Sequence, residues 1–259
     1  MFTPTRHFSP VKLIVNRERK AAVMLNPKVL TLFTRDMMAD GYKEFLGKDD
    51  PSDGRYRFWN VARKMPVAPV RDYLDFIRHP ESYTLYGFVR NPYGRLVSAY
   101  KNKFYDTWAT KPGHTDTDYP RSIRQKHIKR VRSFAAKHGL EGAEPGTLVT
   151  FDTFLAYIEK DPVGARDHHW CAQYDVLMAD RLKYTRVFRI EDDKEEGFRT
   201  LARTFGFDEE WAVARLAKKR NPSKTSETFI TEENLPKTQG VCLPDVKAFG
   251  YDPESWQSY

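Results

Sequence analysis

Residues 83–104 read YTLYGFVRNPYGRLVSAYKNKF, and the order of residue types in this stretch decides the fold class. Tyr83 to Val89 is an aromatic and β-branched run of the kind that packs well on a pleated sheet. Arg90-Asn91-Pro92 breaks it at once, and Leu96, Val97, Tyr100 and Phe104 then recur at helical spacing. The stretch therefore predicts a strand, a cationic turn and a helix. The same succession occurs upstream. Two apolar runs, Val11 to Val15 and Ala21 to Leu25, flank the polar Asn16 to Lys20 and predict strands with buried faces. The second run ends at Asn26-Pro27-Lys28. A helix is expected from near Val29, with Leu32, Phe33 and Met37 on its stripe and Gly41 near its end.

Farther along, Val70 to Ile77 predicts a short helix stopped by Pro80, and Arg121 to His138 a basic amphipathic helix with Ile128, Val131, Phe134 and Ala135 on one side. Thr150 is the expected cap of a helix from Phe151 to Ile158, Tyr184 to Ile190 reads as a strand, and acidic-start helices follow over Asp192–Phe205 and Asp208–Lys219. Gly47 to Arg57 and Thr107 to Pro120 read as loops, and the tail from Asn221 as mostly irregular. Strands alternating with helices argue for an α/β fold: a single domain over residues 1–259, its core at about 11–220, with a central, mainly parallel sheet flanked by helices.

The composition fits such a body. At 259 residues, 40% hydrophobic and 14% aromatic, the chain has enough apolar surface to offset the entropy of ordering, which argues against intrinsic disorder. Lys and Arg number 43 against 35 Asp and Glu, so the formal charge of +8 favours anionic partners. Only Cys171 and Cys242 occur, without zinc-site spacing or disulfide density. Met1 to Lys20 holds one short apolar run, far below the roughly 20 residues of a membrane span. A soluble, cytoplasmic protein without stable membrane insertion is expected.

In parallel α/β sheets, anions bind at the carboxyl ends of strands, against helix N-termini. Two cationic turns fall there: Lys28 in the first, and Arg90 in the second with Arg95 and Ser98 after it. Neither turn carries the G-x-x-x-x-G-K-[ST] of a nucleoside triphosphatase, and no G-x-G-x-x-G is present. Phosphate is favoured there and ATP disfavoured.

The run Phe88-Val89-Arg90-Asn91-Pro92-Tyr93-Gly94-Arg95-Leu96-Val97-Ser98-Ala99-Tyr100 resembles the 3′-phosphate motif of sulfotransferases, in particular the carbohydrate sulfotransferase group (family 2) that includes chondroitin and HNK-1 enzymes. Pro27-Lys28-Val29 resembles that family's 5′-phosphosulfate loop, although Leu30 stands where a small residue is usual and Leu32 where a hydroxyl is common, leaving Thr31, with Thr34 or Arg35, to assist. Leu148 to Leu155 and His168-His169-Trp170-Cys171-Ala172-Gln173-Tyr174 resemble later family segments in the same order. The resemblance implies a fold like that of P-loop nucleotide kinases. It also implies 3′-phosphoadenosine 5′-phosphosulfate (PAPS) as sulfuryl donor and adenosine 3′,5′-bisphosphate (PAP) as product. Pro27, Lys28, Val29, Leu30, Thr31 and Leu32 are expected to line the 5′ side, and Arg90, Ser98 and Arg95 the 3′ side.

Sulfuryl transfer is an in-line displacement, so the protein has to align acceptor oxygen, sulfur and leaving phosphate and stabilise charge growing on the bridging oxygen. Lys28 is the cation expected at that oxygen, and Arg90 suits a phosphate as a planar fork. Fixed cations make a metal unnecessary. The acceptor hydroxyl loses a proton, for which His169 is the favoured base and His168 the second choice, beside a Trp170 able to stack on a sugar; His79 and Asp36 are the remaining candidates. The aromatic Tyr93, Tyr100 and Phe104 read as core. The basic residues Arg121, Arg124, Lys126, Lys129, Arg130, Arg132 and Lys137 form either a solvated face or a wall for an acidic glycan, and Asn221 to Ser226 either a linker or a cover for the sulfuryl donor. The expected partner is a carbohydrate or glycoconjugate and not nucleic acid; the sequence leaves the oligomeric state unspecified. A kinase of the same sheet type and a non-catalytic polyanion-binding module are the competing readings.

Overall fold

A computed structural model of the chain describes residues 12–47, 70–106, 123–161, 166–217 and 228–258. The segments 48–69 and 107–122, the start of the first apolar run at Val11, the basic side chains Arg121 and Arg124, and Asn221 to Ser226 lie outside the described residues. The chain is an α/β fold whose four-stranded sheet has the order β1 (Leu13–Asn16), β2 (Ala21–Met24), β3 (Thr84–Val89), β4 (Arg186–Arg189). The β1–β2 hairpin is antiparallel; β2–β3 and β3–β4 are parallel. Every residue of β1 and β2 is buried, as expected of strands covered on both faces, where hydrophobic runs need not alternate.

Contacts group the residues into two compact units, one within Met1–Arg90 and Gln173–Pro222, the other within Asn91–Ala172 and Ser223–Tyr259. The first holds the sheet, with helices α1 (Thr31–Leu46), α2 (Val70–Arg78), α6 (Gln173–Leu177), α7 (Lys194–Phe205) and α8 (Glu209–Leu216). Its core joins Phe33 of α1, Phe88 of β3, Phe188 of β4 and Phe198 of α7: Phe198 stacks on Phe88 with centroids 4.8 Å apart and meets Phe33 edge-on at 4.8 Å. Gly197 lets α7 press this close, since a Cβ there would sit 2.5 Å from the Phe88 ring.

The second unit holds α3 (Pro92–Tyr100) and its π-helical continuation Lys101–Tyr105, α4 (Ile123–His138), α5 (Phe151–Lys160) and α9 (Leu235–Phe249). Thr150 caps α5 as expected, its hydroxyl accepting from the Thr153 amide at 3.2 Å. Tyr100 donates to the Val149 carbonyl at 2.9 Å among Phe104, Phe151 and Phe154, so the aromatic stripe of α3 is core. No helix among the described residues is long and apolar enough to cross a membrane.

Three expectations are corrected. The first helix starts at Thr31, not near Val29, because Lys28 (φ 69°) and Leu30 (φ 50°) lie in the left-handed region, which an α-helix excludes. It also runs past Gly41 to Leu46, closed by Gly47 at φ 59°; Gly41 is instead a packing position, where a Cβ would meet the Phe207 ring at 2.6 Å. The C-terminal segment is not mostly irregular: α9 occupies Leu235–Phe249 despite Gly240 and Pro244. Burial of Thr238, Cys242, Asp245 and Val246, with α9 packed on α3 and α5, overrides the poor local propensity.

Candidate active site

Register decides where the cationic turns lie. Met24 of β2 pairs with Gly87 of β3, so the turn carrying Lys28 and the turn carrying Arg90 leave the same end of adjacent parallel strands. That end is the carboxyl end, as the sequence predicts.

The turn after β2 is wound tightly. The Val29 amide donates to the Asn26 carbonyl at 3.2 Å, and the Thr31 hydroxyl donates to the same carbonyl at 2.5 Å. Lys28 and Leu30 are held left-handed on either side of Val29, a conformation costing about 1–2 kcal/mol per non-glycine residue. Backbone of this kind turns successive amides toward one side and makes an anion-binding concavity. No side chain caps the start of α1, which leaves its first-turn amides directed at the same turn. The expected contributors differ in what they can offer. Thr31 spends its proton within the loop, Leu32 is 57% exposed and apolar, Pro27 has no amide proton and the Val29 amide is paired with Asn26, so the groups of this turn able to meet an anion are the Lys28 and Leu30 amides and the Lys28 ammonium.

Beneath the two turns lies a buried amide pair whose roles the sequence did not reveal. Gln173 is fully buried; its Oε1 accepts from the Arg90 amide (3.0 Å) and from Asn26 Nδ2 (2.9 Å), while its Nε2 donates to the Arg90 carbonyl (2.7 Å). Asn26 Nδ2 also donates to the Phe88 carbonyl at 3.1 Å. One glutamine thus fixes both backbone polar groups of Arg90 and ties them to the residue that starts the Lys28 turn. The Gln173 position was visible only as part of a family-like segment, 147 residues from its partner Asn26.

In the second unit, Asn91 caps α3 by accepting from the amides of Tyr93 (3.0 Å) and Gly94 (3.2 Å), and Pro92 opens the helix. This is the physical content of the Arg-Asn-Pro signature. Ser98 is half-buried on this helix. Arg95 is corrected: it is 3% exposed, and its guanidinium donates to the carbonyls of Cys171 (2.7 Å) and His168 (2.9 Å). Its place is as a brace of the His168–Cys171 turn rather than as a sulfuryl-donor ligand.

That turn presents His169. Its Nδ1 lies 2.5 Å from Asp167 Oδ1, and its amide donates to the same oxygen at 3.0 Å. The ring is thereby oriented with Nε2 directed away from the carboxylate. Burial alone would raise the Asp167 pKa, but the hydrogen bonds from His169 and the charges of His168 and His169 hold it well below the usual carboxylate range. Asp167 is therefore an anion at neutral pH, the arrangement that steadies an imidazole as it gains a proton. Trp170 is corrected: at 3% exposed it packs edge-on to His127 (4.9 Å) and Phe154 (5.5 Å), and it offers no face to a sugar. His79 is displaced from candidacy too, because it lies before the amino end of β3, whereas Arg90 follows its carboxyl end. Of the basic helix, Lys126, Lys129, Arg130 and Lys137 are exposed, while Arg132 is buried and donates to the Thr147 carbonyl at 2.8 Å.

A mainly parallel sheet with two cationic turns at the carboxyl ends of adjacent strands is the arrangement in which α/β proteins bind anions. The chain belongs to the Sulfotransferase family, whose pattern matches residues 31–246. It is 32% identical over 120 residues to carbohydrate sulfotransferase 11 of Rattus norvegicus and of Mus musculus, covering 45% of this chain and 31% of each relative. It is 31% identical over 121 residues to carbohydrate sulfotransferase 14 of Danio rerio, covering 45% of this chain and 30% of that protein. The matched part is thus about a third of the length of these relatives. No solved structure matches the chain. The family match begins at Thr31, so the assignment of Pro27 to Leu30 rests on the geometry of their own turn.

Proposed function

We propose that this chain transfers a sulfuryl group from PAPS to a hydroxyl of a carbohydrate or glycoconjugate. The observation that carries the reading is the Asn26–Gln173 lock, which holds the Lys28 and Arg90 turns at the carboxyl ends of neighbouring strands. PAPS supplies an activated sulfuryl group on a phosphate leaving group. The Lys28 and Leu30 amides of the wound turn are assigned to the 5′-phosphosulfate, and the Arg90 guanidinium, with the Ser98 hydroxyl, to the 3′-phosphate. The Lys28 ammonium is assigned to the charge that grows on the bridging oxygen.

In the second unit, His169 accepts the acceptor hydroxyl's proton at Nε2 while Asp167 keeps the proton on Nδ1 and balances the imidazolium that forms. Fixed cations do the work a metal does in phosphoryl transfer, so turnover is expected to need no added divalent metal. Incubation of the full chain with PAPS and a panel of neutral and acidic glycans, read by mass spectrometry for sulfated product and PAP, tests the reaction and names the acceptor. Sulfate incorporated into a protein or lipid acceptor but into none of the glycans would overturn the acceptor class.

A further inference from the structure

We propose that His127, Asp167 and His169 form a binding site for a divalent transition metal of the zinc class. One ligand atom from each residue lies within 4.8 Å of the other two. His127 stands on α4 and is 3% exposed, yet neither of its ring nitrogens has a hydrogen-bond partner among the described residues, and its Nε2 points at Asp167 Oδ2 from 3.7 Å. Unpartnered buried polar atoms are uncommon and costly, and one of the two on this ring, Nε2, faces a carboxylate that a second imidazole already touches, an arrangement that fits a ligand set for a cation.

Two imidazoles and one carboxylate match the three protein ligands of open zinc sites, in which water completes the tetrahedron. Asp167 and His169 are partly exposed, giving water access to the fourth position. Zn–N and Zn–O bonds are about 2.1 Å, so the three groups have to rearrange by about 1 Å to close on the ion. Imidazole ligands favour zinc, nickel or cobalt over magnesium or calcium, which prefer all-oxygen shells.

Metal on His169 Nδ1 displaces the proton that Asp167 holds there and leaves the neutral ring protonated on Nε2, so the loaded ring is a hydrogen-bond donor there and no longer a base. This consequence rests on the proposed role of His169; binding itself does not. Zinc would therefore inhibit transfer by occupying the group that has to accept the proton.

Calorimetric titration of ZnCl2 into metal-stripped, tag-free full-length protein tests the site, with MgCl2 in parallel. Saturable one-to-one zinc binding is expected, absent with magnesium. His127→Ala, and the more exposed His169→Ala in case the buried substitution unfolds the protein, should each weaken it by at least about tenfold. No saturable binding, or zinc binding equal in wild type and a folded variant, overturns the site. Transfer rates are measured separately. Zinc binding with an unaltered rate leaves the site standing and removes His169 from the role of base.

Discussion

Gln173→Leu removes the lock between the two turns while keeping nearly the same volume. Three hydrogen bonds disappear, one from Asn26 Nδ2 and two with the backbone of Arg90. At about 1 kcal/mol net each, the loss is about 3 kcal/mol, and more if the Arg90 amide and carbonyl find no water. For a chain of this size, that corresponds to a fall in Tm of about 6–12 °C. Stability alone would not distinguish a lock from ordinary core, so the decisive assay is binding. Calorimetry with PAP at 10 °C, where the variant is still folded by circular dichroism, should show affinity reduced at least about tenfold, because Arg90 is no longer held in place. A folded Gln173→Leu protein that binds PAP as the wild type does would refute the reasoning, whatever its Tm.

Lys28 separates chemistry from fold. Lys28→Gly relieves the left-handed strain at φ 69° and should leave Tm unchanged or raise it by a few degrees in calorimetry, while turnover falls by roughly 100-fold or more. His169→Ala should lower turnover about 100- to 10,000-fold with PAP affinity retained, and Asp167→Asn should lower it less, with the acid limb of the rate profile displaced. The pH dependence of stability has a definite sign at His127. Its folded pKa of about 4 lies below 6.5, so between those values the unfolded chain binds the extra proton and stability is lost as pH falls, by up to about 1.4 kcal/mol per pH unit. His127→Gln should flatten the Tm profile over pH 6.5 to 4; an unchanged slope would assign it to another group.

The strand, turn and helix around Arg90 were legible because every local signal agrees there: a β-branched run, an Asn cap, a Pro at the first helical position and an apolar stripe. The start of the first helix was not, because nothing in the residue types of Lys28 and Leu30 announces positive φ; the turn is imposed by bonds that converge on the Asn26 carbonyl. The C-terminal helix was hidden for the opposite reason, since Gly240 and Pro244 speak against a helix that tertiary burial then supplies. Arg95 shows the limit of carrying a role along a motif: its spacing places it on α3, and only the fold turns it onto the carbonyls of His168 and Cys171. Asp167, two residues before His169, was within reach of a local reading, whereas the approach of His127 from a separate helix was not.

The central claim is that the turn after β3 reads a 3′-phosphate. Parallel calorimetric titrations of the full chain with PAP and with adenosine 5′-phosphate, repeated on Arg90→Ala, test it most directly. The account predicts that PAP binds at least about tenfold tighter and that Arg90→Ala removes the difference, a charge-assisted contact of about 2 kcal/mol. Equal affinity for the two nucleotides in the wild-type protein would contradict it.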